Sequence, residues 1–259
     1  MDWWFYLFLF LAGSTGGFFS GLLGIGGGII MFPLLLYLPV ILGFEGINIK
    51  YITGLTMIQG FFASLSAVLF YRRERLVNRD LAIAFGFFLF LSSLAGSLVS
   101  KIVHDRLLLL TFGVLAFIAS FMMLLPRSYT RDDVTAEGVK FNKPLAIIIG
   151  CALGFLLGLV GQGGAFIIIP ALLYVLKIPL RVALGSTLAI GLFSSIAGLT
   201  GKIATGQVPF HMAWALVFGA IPAAQFGSYI AKKTKVQFLR WILAVIICAT
   251  AVKIWSDIF

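Results

Sequence analysis

The chain is poor in charge, and poorer in acid. Of its 259 residues 11% are charged, and nine are Asp or Glu. A soluble domain needs a polar surface over its core, and so few charges cannot supply one. Two histidines and two cysteines leave little for a metal centre. Cys151 and Cys248 lie inside apolar runs without ligand spacing and read as inert buried thiols. There is no nucleophile–base pair, metal cluster or phosphate-binding lysine motif, so an enzyme is not expected, and neither is a cofactor. Glu45, Asp80 and Asp105 fall at loops, and no carboxylate sits deep in an apolar run. A carboxylate proton relay, common in coupled pumps, is therefore lacking.

What the chain has is apolar bulk and glycine. Hydrophobic residues make up 61%, with 26 Phe and 29 Gly. This is the composition of an integral membrane protein, in which glycine lets helix backbones approach closely. Its partners are then membrane lipid and a solute. The net charge of +10 sits in short loops between apolar runs, which marks topology and not nucleic-acid binding. The first run, "WWFYLFLFLAGSTGGFF", has no basic region before it and reads as a retained span.

The sequence is written twice. Gly17, Gly21, Gly24, Gly26, Gly27 and Pro33 match Gly154, Gly158, Gly161, Gly163, Gly164 and Pro170 at an offset of 137. Beyond the loop "LGFEGINIK" the offset is 131, relating Gly54, Thr56, Gly60, Ser64 and Gly96 to Gly185, Thr187, Gly191, Ser195 and Gly227. The expected domains are a first repeat over 1–126, a cytoplasmic linker over 127–143 and a second repeat over 144–259. Each repeat holds three runs of span length, near 51–71, 81–100 and 107–125, then 182–200, 212–231 and 238–256. A glycine-rich segment precedes them, about 3–42 and 144–176. The second copy, as one straight helix, would be about 50 Å long, too long for a ~30 Å hydrocarbon core. It is also short for two full spans, so two short helices meeting at the glycines are expected.

Charge selects the topology. If each glycine segment is a hairpin, the halves are inverted, and fourteen basic residues fall on the inside, in loops near 72–79, 127–143, 177–181 and 232–240. Five fall outside: Lys50, Lys101, Arg106, Lys202 and Lys253. If the segment is a single span, the split is ten against nine, and the positive-inside rule favours the hairpin. The fold expected is an all-α polytopic membrane protein of two inverted-topology repeats, each a glycine-tipped broken-helix hairpin plus three spans, with both termini outside. Trp3, Trp4 and Trp255 would join the outer aromatic belt.

Broken helices within inverted repeats are a recurrent transporter design. The helix after each turn begins near Gly28 or Ala165, and a helix N-terminus attracts anions. The candidate substrate-binding residues are therefore Gly24, Gly26, Gly27 and Gly28 at one tip, and Gly161, Gln162, Gly163 and Gly164 at the other. Thr53, Thr56 and Gln59 of the next span, with Ser186 and Thr187 near the matching place, add hydroxyl and amide groups. The alternatives are that the glycines serve packing alone, and that the hydroxyls bond only their own helix. Pro33 and Pro170 read as kinks. Small-residue faces such as Gly86, Ser93 and Gly96 suit a homodimer or internal packing. Without a proton relay, export of an anion driven by the inside-negative potential is favoured.

"GLLGIGGGIIMFPLLL", followed by "YITGLTMIQGFFASLSAVLFYRRERLVNRDLAIAFG", resembles the sulfite exporter TauE/SafE (TSUP) family over essentially the whole chain. The resemblance implies an inner-membrane permease for sulfite, a sulfonate such as sulfoacetate, or a related sulfur-containing anion. A channel, or a transporter of thiosulfate, formate or chloride, is the alternative, and a membrane assembly factor a more distant one. The family motif maps to Gly24, Gly26, Gly27, Gly28 and Pro33, and to Gly161, Gly163, Gly164 and Pro170. In the second copy Gln162 replaces Ile25 and Ala165 replaces Gly28, so the two half-sites differ.

Overall fold

A computed structural model describes residues 3–73, 76–125, 136, 139, 141–161 and 165–258. All its elements are helical: α1 (Trp3–Leu23), α2 (Gly28–Ile41), α3 (Ile49–Arg73), α4 (Arg79–Val99), α5 (Asp105–Leu124), α6 (Lys143–Val160), α7 (Ala165–Pro170), α8 (Leu180–Ala204), α9 (Phe210–Lys233) and α10 (Val236–Ile258). Among the described residues, eight helices are long and apolar enough to cross a membrane. Large apolar side chains such as Phe87, Phe121, Phe218, Phe226 and Trp241 stand exposed on the outside. That surface suits hydrocarbon and would be costly in water.

The six expected span-length runs appear as α3, α4, α5, α8, α9 and α10. The glycine segments do break where expected, at Gly24–Gly27 and after Val160. They do not form pairs of short helices. The first member is span-length in each case, 21 residues in α1 and 18 in α6, and only the second is short. α2 has 14 residues, and α7 has six before it loosens after Pro170 into a π-turn over Ala171–Val175. There the Leu176 N–H donates to Ala171 O, five residues back. Proline cannot donate to the ladder, which is a usual cause of such a local irregularity.

α3 and α8 pack together as the inner pair, each buried along most of its length. Around them α1 packs on α9, α6 packs on α4, and α5 packs on α10. The short helices α2 and α7 also touch. Phe112 of α5 joins them, stacked on Phe32 of α2 at 4.4 Å and tilted against Phe166 of α7 at 5.5 Å.

Glycine makes the two outer pairings possible. Gly13, Gly17 and Gly21 of α1 lie against the backbone carbonyls of Leu216, Ala220 and Ala224 on α9. Gly150, Gly154 and Gly158 of α6 lie against those of Phe85, Leu89 and Ser93 on α4. The offsets of 137 and 131 relate one set to the other. A Cβ at any of the six would meet backbone oxygen well inside contact distance, for example at 2.6 Å for Gly154 and Leu89 O. The spacing of four puts all three glycines on one face, where small residues let helices approach without a hydrophobic drive.

Asparagine sets two helix starts. Asn78 Oδ1 accepts from the Leu81 N–H at 2.9 Å, and Asn142 Oδ1 from the Leu145 N–H at 3.1 Å. Asn78 also ties α4 to α8, its own N–H donating to Ser186 Oγ at 3.0 Å.

Lys202 corrects the charge reading. The sequence reading counts it as an outside loop charge, whereas it lies in the last turn of α8 with a fully buried side chain. α8 runs on to Ala204, and hydroxyl and carbonyl groups of three other helices close around the ammonium.

The packing yields a stability test. Gly17→Ala and Gly158→Ala force backbone apart and are expected to cost about 1–3 kcal/mol each. Gly46→Ala meets only a Val40 methyl at ordinary contact, 3.5 Å, and should be neutral. Thermal unfolding in detergent reads the difference, and equal midpoints for all three would contradict the close-approach account.

Candidate functional site

α1 ends at Leu23, and the Gly24 N–H donates to Ser20 O at 2.9 Å. The chain then turns through Gly24, Gly26 and Gly27 at φ of +69°, +64° and +78°. Side chains other than glycine rarely adopt this left-handed region. The turn is also tight. A Cβ on Gly24 would sit 2.7 Å from Leu184 O on α8, and one on Gly27 would overlap Gly16 O on α1. α2 starts at Gly28, and Gly27 O accepts the N–H groups of Ile30 and Met31. Every residue from Leu22 to Ile29 is buried.

Polar groups with nothing to bond surround this turn. Gln59 of α3 is fully buried, and neither its Nε2 nor its Oε1 has a hydrogen-bond partner among the described residues. Its Nε2 lies 3.1 Å from the point a Gly27 Cβ would occupy and 3.2 Å from that of Gly16. Ser20 Oγ, one turn before Gly24, and Thr187 Oγ1, one turn beyond Leu184, are also buried without a partner. Ser195, two turns further along α8, is the remaining such residue among those described. An unmade bond of this kind costs about 1–3 kcal/mol, and native proteins carry few. An open carboxamide against Gly27, beside the start of a 14-residue helix, with open hydroxyls one turn along the chain from Gly24 and from the Leu184 carbonyl on which it rests, marks a place built for something else. Amide and hydroxyl donors beside a positive helix end suit an anion.

The other expected residues fare differently. Thr56 Oγ1 donates to Thr53 O at 3.0 Å, which is the own-helix bonding held as the alternative. Ser186 Oγ accepts from Asn78. At the second tip Gly161 is left-handed at φ +82° and pressed against Thr53. Gln162, Gly163 and Gly164 lie outside the described residues. Ser20 and Lys202 are the residues sequence reasoning missed. Ser20 carried a faint signal as a polar residue inside the glycine run, four before Gly24.

Thr53 Oγ1 donates to Lys50 O at 2.7 Å and accepts from Lys202 Nζ at 2.9 Å. Lys202 Nζ also donates to Ser100 Oγ at 2.7 Å, Gln207 Oε1 at 3.1 Å and Leu159 O at 3.3 Å. Ser100 caps the end of α4, Leu159 lies at the end of α6, and Lys202 is near the end of its own helix. Helix C-termini carry partial negative charge and favour a cation.

The matching position in the first half is Tyr71, at the offset of 131. Its hydroxyl donates to Gly21 O at 3.1 Å, near the end of α1, as Lys202 donates near the end of α6. Tyr71 borders a cavity of about 280 Å³ lined also by Phe70, Leu76, Leu184, Arg181 and Lys232. Leu184 is the residue whose carbonyl rests on Gly24. A cavity with a basic lining thus lies beside the first tip. A separate groove of about 460 Å³ between α1 and α2, lined by Trp4, Phe8, Leu11, Thr15, Leu34 and Leu38, is mostly apolar and carries no charged side chain.

The arrangement predicts that Gln59 is a stability liability. Gln59→Leu removes two unmade bonds at similar volume and should raise the midpoint of the anion-free protein by a few degrees, about 2–4 °C per kcal/mol. A fall would mean that the carboxamide is satisfied and the tip is not poised for a ligand.

Comparison with known proteins agrees with the helical architecture. The family model described as Sulfite exporter TauE/SafE matches residues 9–254. The chain is 26% identical to a protein named probable membrane transporter protein YunE of Bacillus subtilis, over 94% of this chain and 96% of that one. It is 29% identical to a probable membrane transporter protein of Xylella fastidiosa, over 95% and 94%. A similarly named protein of Methanocaldococcus jannaschii is 26% identical over 92% and 91%. No solved structure matches.

Proposed function

We propose, on the premise that this chain belongs to the sulfite exporter TauE/SafE family of membrane transporters, that it moves a small anion held at the first hairpin tip. The observation that carries the reading is the buried, unpartnered carboxamide of Gln59 against Gly27 at the start of α2, with the unpartnered hydroxyls of Ser20 and Thr187 one turn along the chain from Gly24 and Leu184. The substrate is sulfite or a small organosulfonate such as sulfoacetate, in keeping with the family's description. Sulfite is small enough to be gripped by one amide, two hydroxyls and a helix end, with no arginine. The second tip, around Gly161, Gln162, Gly163 and Gly164, forms the matching half-site.

The repeats over 1–126 and 144–259 are inverted about the inner pair, with residues 127–143 as the cytoplasmic linker and both termini outside. The pairing of α1 with α9 and of α6 with α4 supports this, because each pair becomes the other when the halves are exchanged. The protein sits in the inner membrane, and Arg181 and Lys232 line the inside mouth that collects the anion. An inside-negative potential drives a monoanion out at about 2.3 kcal/mol per 100 mV. An assembly factor would have no need of open donors at the tip.

Reconstituted protein loaded with sulfite should release it under a potential, without a proton or sodium gradient. Gln59→Leu and Thr187→Val should each slow that flux about ten- to a hundredfold, the worth of one hydrogen bond to a charged group. Unchanged flux in both variants would place the site elsewhere. Absence of flux for sulfite, sulfoacetate, thiosulfate, formate and chloride alike, from folded protein, would overturn the reading.

A further inference from the structure

Among the described residues Lys202 is the one charged side chain that is buried, and none of its partners is a carboxylate. Its surroundings fit an ammonium. Thr53 Oγ1 spends its hydrogen on Lys50 O, and Ser100 Oγ spends its own on Ser97 O at 2.7 Å. Both hydroxyls must therefore accept from Lys202. Leu159 O and Gln207 Oε1 can only accept. Four acceptors face a group with three donors and no lone pair, and no donor faces it. The ends of α4, α6 and α8 help to hold the cation there.

A buried charge without an ion partner is expensive to hold in a fold. Geometry offers a use. Thr53, Thr56 and Gln59 are fully buried on α3 at three-residue spacing, which carries them about a third of a turn around the helix. Lys202 touches the first of the three, and the open carboxamide belongs to the last, about 9 Å along the helix axis.

We propose that Lys202 is a fixed interior charge that, beyond Arg181 and Lys232 at the mouth, biases the hairpin-tip site toward anions, acting through its field and not by contact. The inference rests on the reading of that tip as an anion site. At about 10 Å and an effective permittivity of about 20, one unit charge favours a monoanion by roughly tenfold, and a dianion by the square of that factor. The matching position of the first half does not repeat the device, because Tyr71 there is neutral.

The test is Lys202→Met, read by anion-dependent thermal shift and by flux, with chloride as the monoanion probe and thiosulfate as the dianion probe. The anion-free variant leaves the acceptors of Thr53, Ser100, Leu159 and Gln207 unpaired and should unfold at a lower temperature than wild type, so each anion's effect is read against the variant's own anion-free midpoint. Affinity should fall roughly tenfold for chloride and roughly a hundredfold for thiosulfate. Equal losses for the two anions, or no loss, would overturn the proposal while leaving the tip site standing. If wild-type protein binds neither anion nor sulfite, the site reading fails, and this inference with it. Lys202→Gln, which keeps an N–H donor but not the charge, gives the same charge test where the Met variant does not fold.

Discussion

The contact of glycine on backbone carbonyl, repeated three times between α1 and α9 and three times between α6 and α4, bears the rest of the structure. Lipid tails are as apolar as leucine, so burial alone does not hold helices together in a membrane, and fit must do so. With the glycines in place, α1 lies close enough to its neighbours to end beside α8. Gly24 can then rest on Leu184 O, and Gly27 can turn against Gly16 O. A broken backbone inside a bilayer survives only where protein surrounds it. The tight outer pairs provide that surround, and the inner pair α3 and α8 supplies the side chains that face the break.

The polar groups are distributed as the break requires. Most hydroxyls on these helices bond a carbonyl one turn back, as Ser14, Thr15, Thr111 and Ser228 do. Ser20 and Thr187 depart from that habit within one turn of Gly24 and of Leu184, and Ser195 does so further along α8. The two halves share a geometry and differ in chemistry. Tyr71 and Lys202 hold matching places near the ends of α1 and α6, one beside a basic cavity, the other locked among four acceptors. Pseudo-symmetry therefore describes the helices and not the electrostatics, and an anion crossing the molecule would meet unlike surroundings at its two ends.

Much of the architecture was legible in sequence, because membrane spans announce themselves by length and apolarity. The six runs after the glycine segments became α3–α5 and α8–α10 within a few residues. The breaks at Gly24–Gly27 and after Val160 were legible too, because glycine clusters mark left-handed turns. The length of α1 and α6 was not. Gly13, Gly17, Gly150 and Gly154 look like weak points in a helix, and only the partner backbone shows them as packing positions. Gln59 and Thr187 were legible as candidates, whereas their lack of partners depends on what other helices fail to supply. Lys202 was hidden most fully. It stands in "TGKIATGQVP", which reads as a turn, and its burial is created by Thr53, Ser100 and Leu159 from three other helices.

The central claim is that an anion sits at the first hairpin tip. Selenite has the pyramidal oxyanion shape of sulfite and scatters anomalously. Crystals of the protein grown with selenite would locate it by its anomalous difference density. The account predicts a peak within hydrogen-bond reach of Gln59 Nε2 and the first N–H groups of α2. A peak anywhere else, with the tip empty, would contradict it.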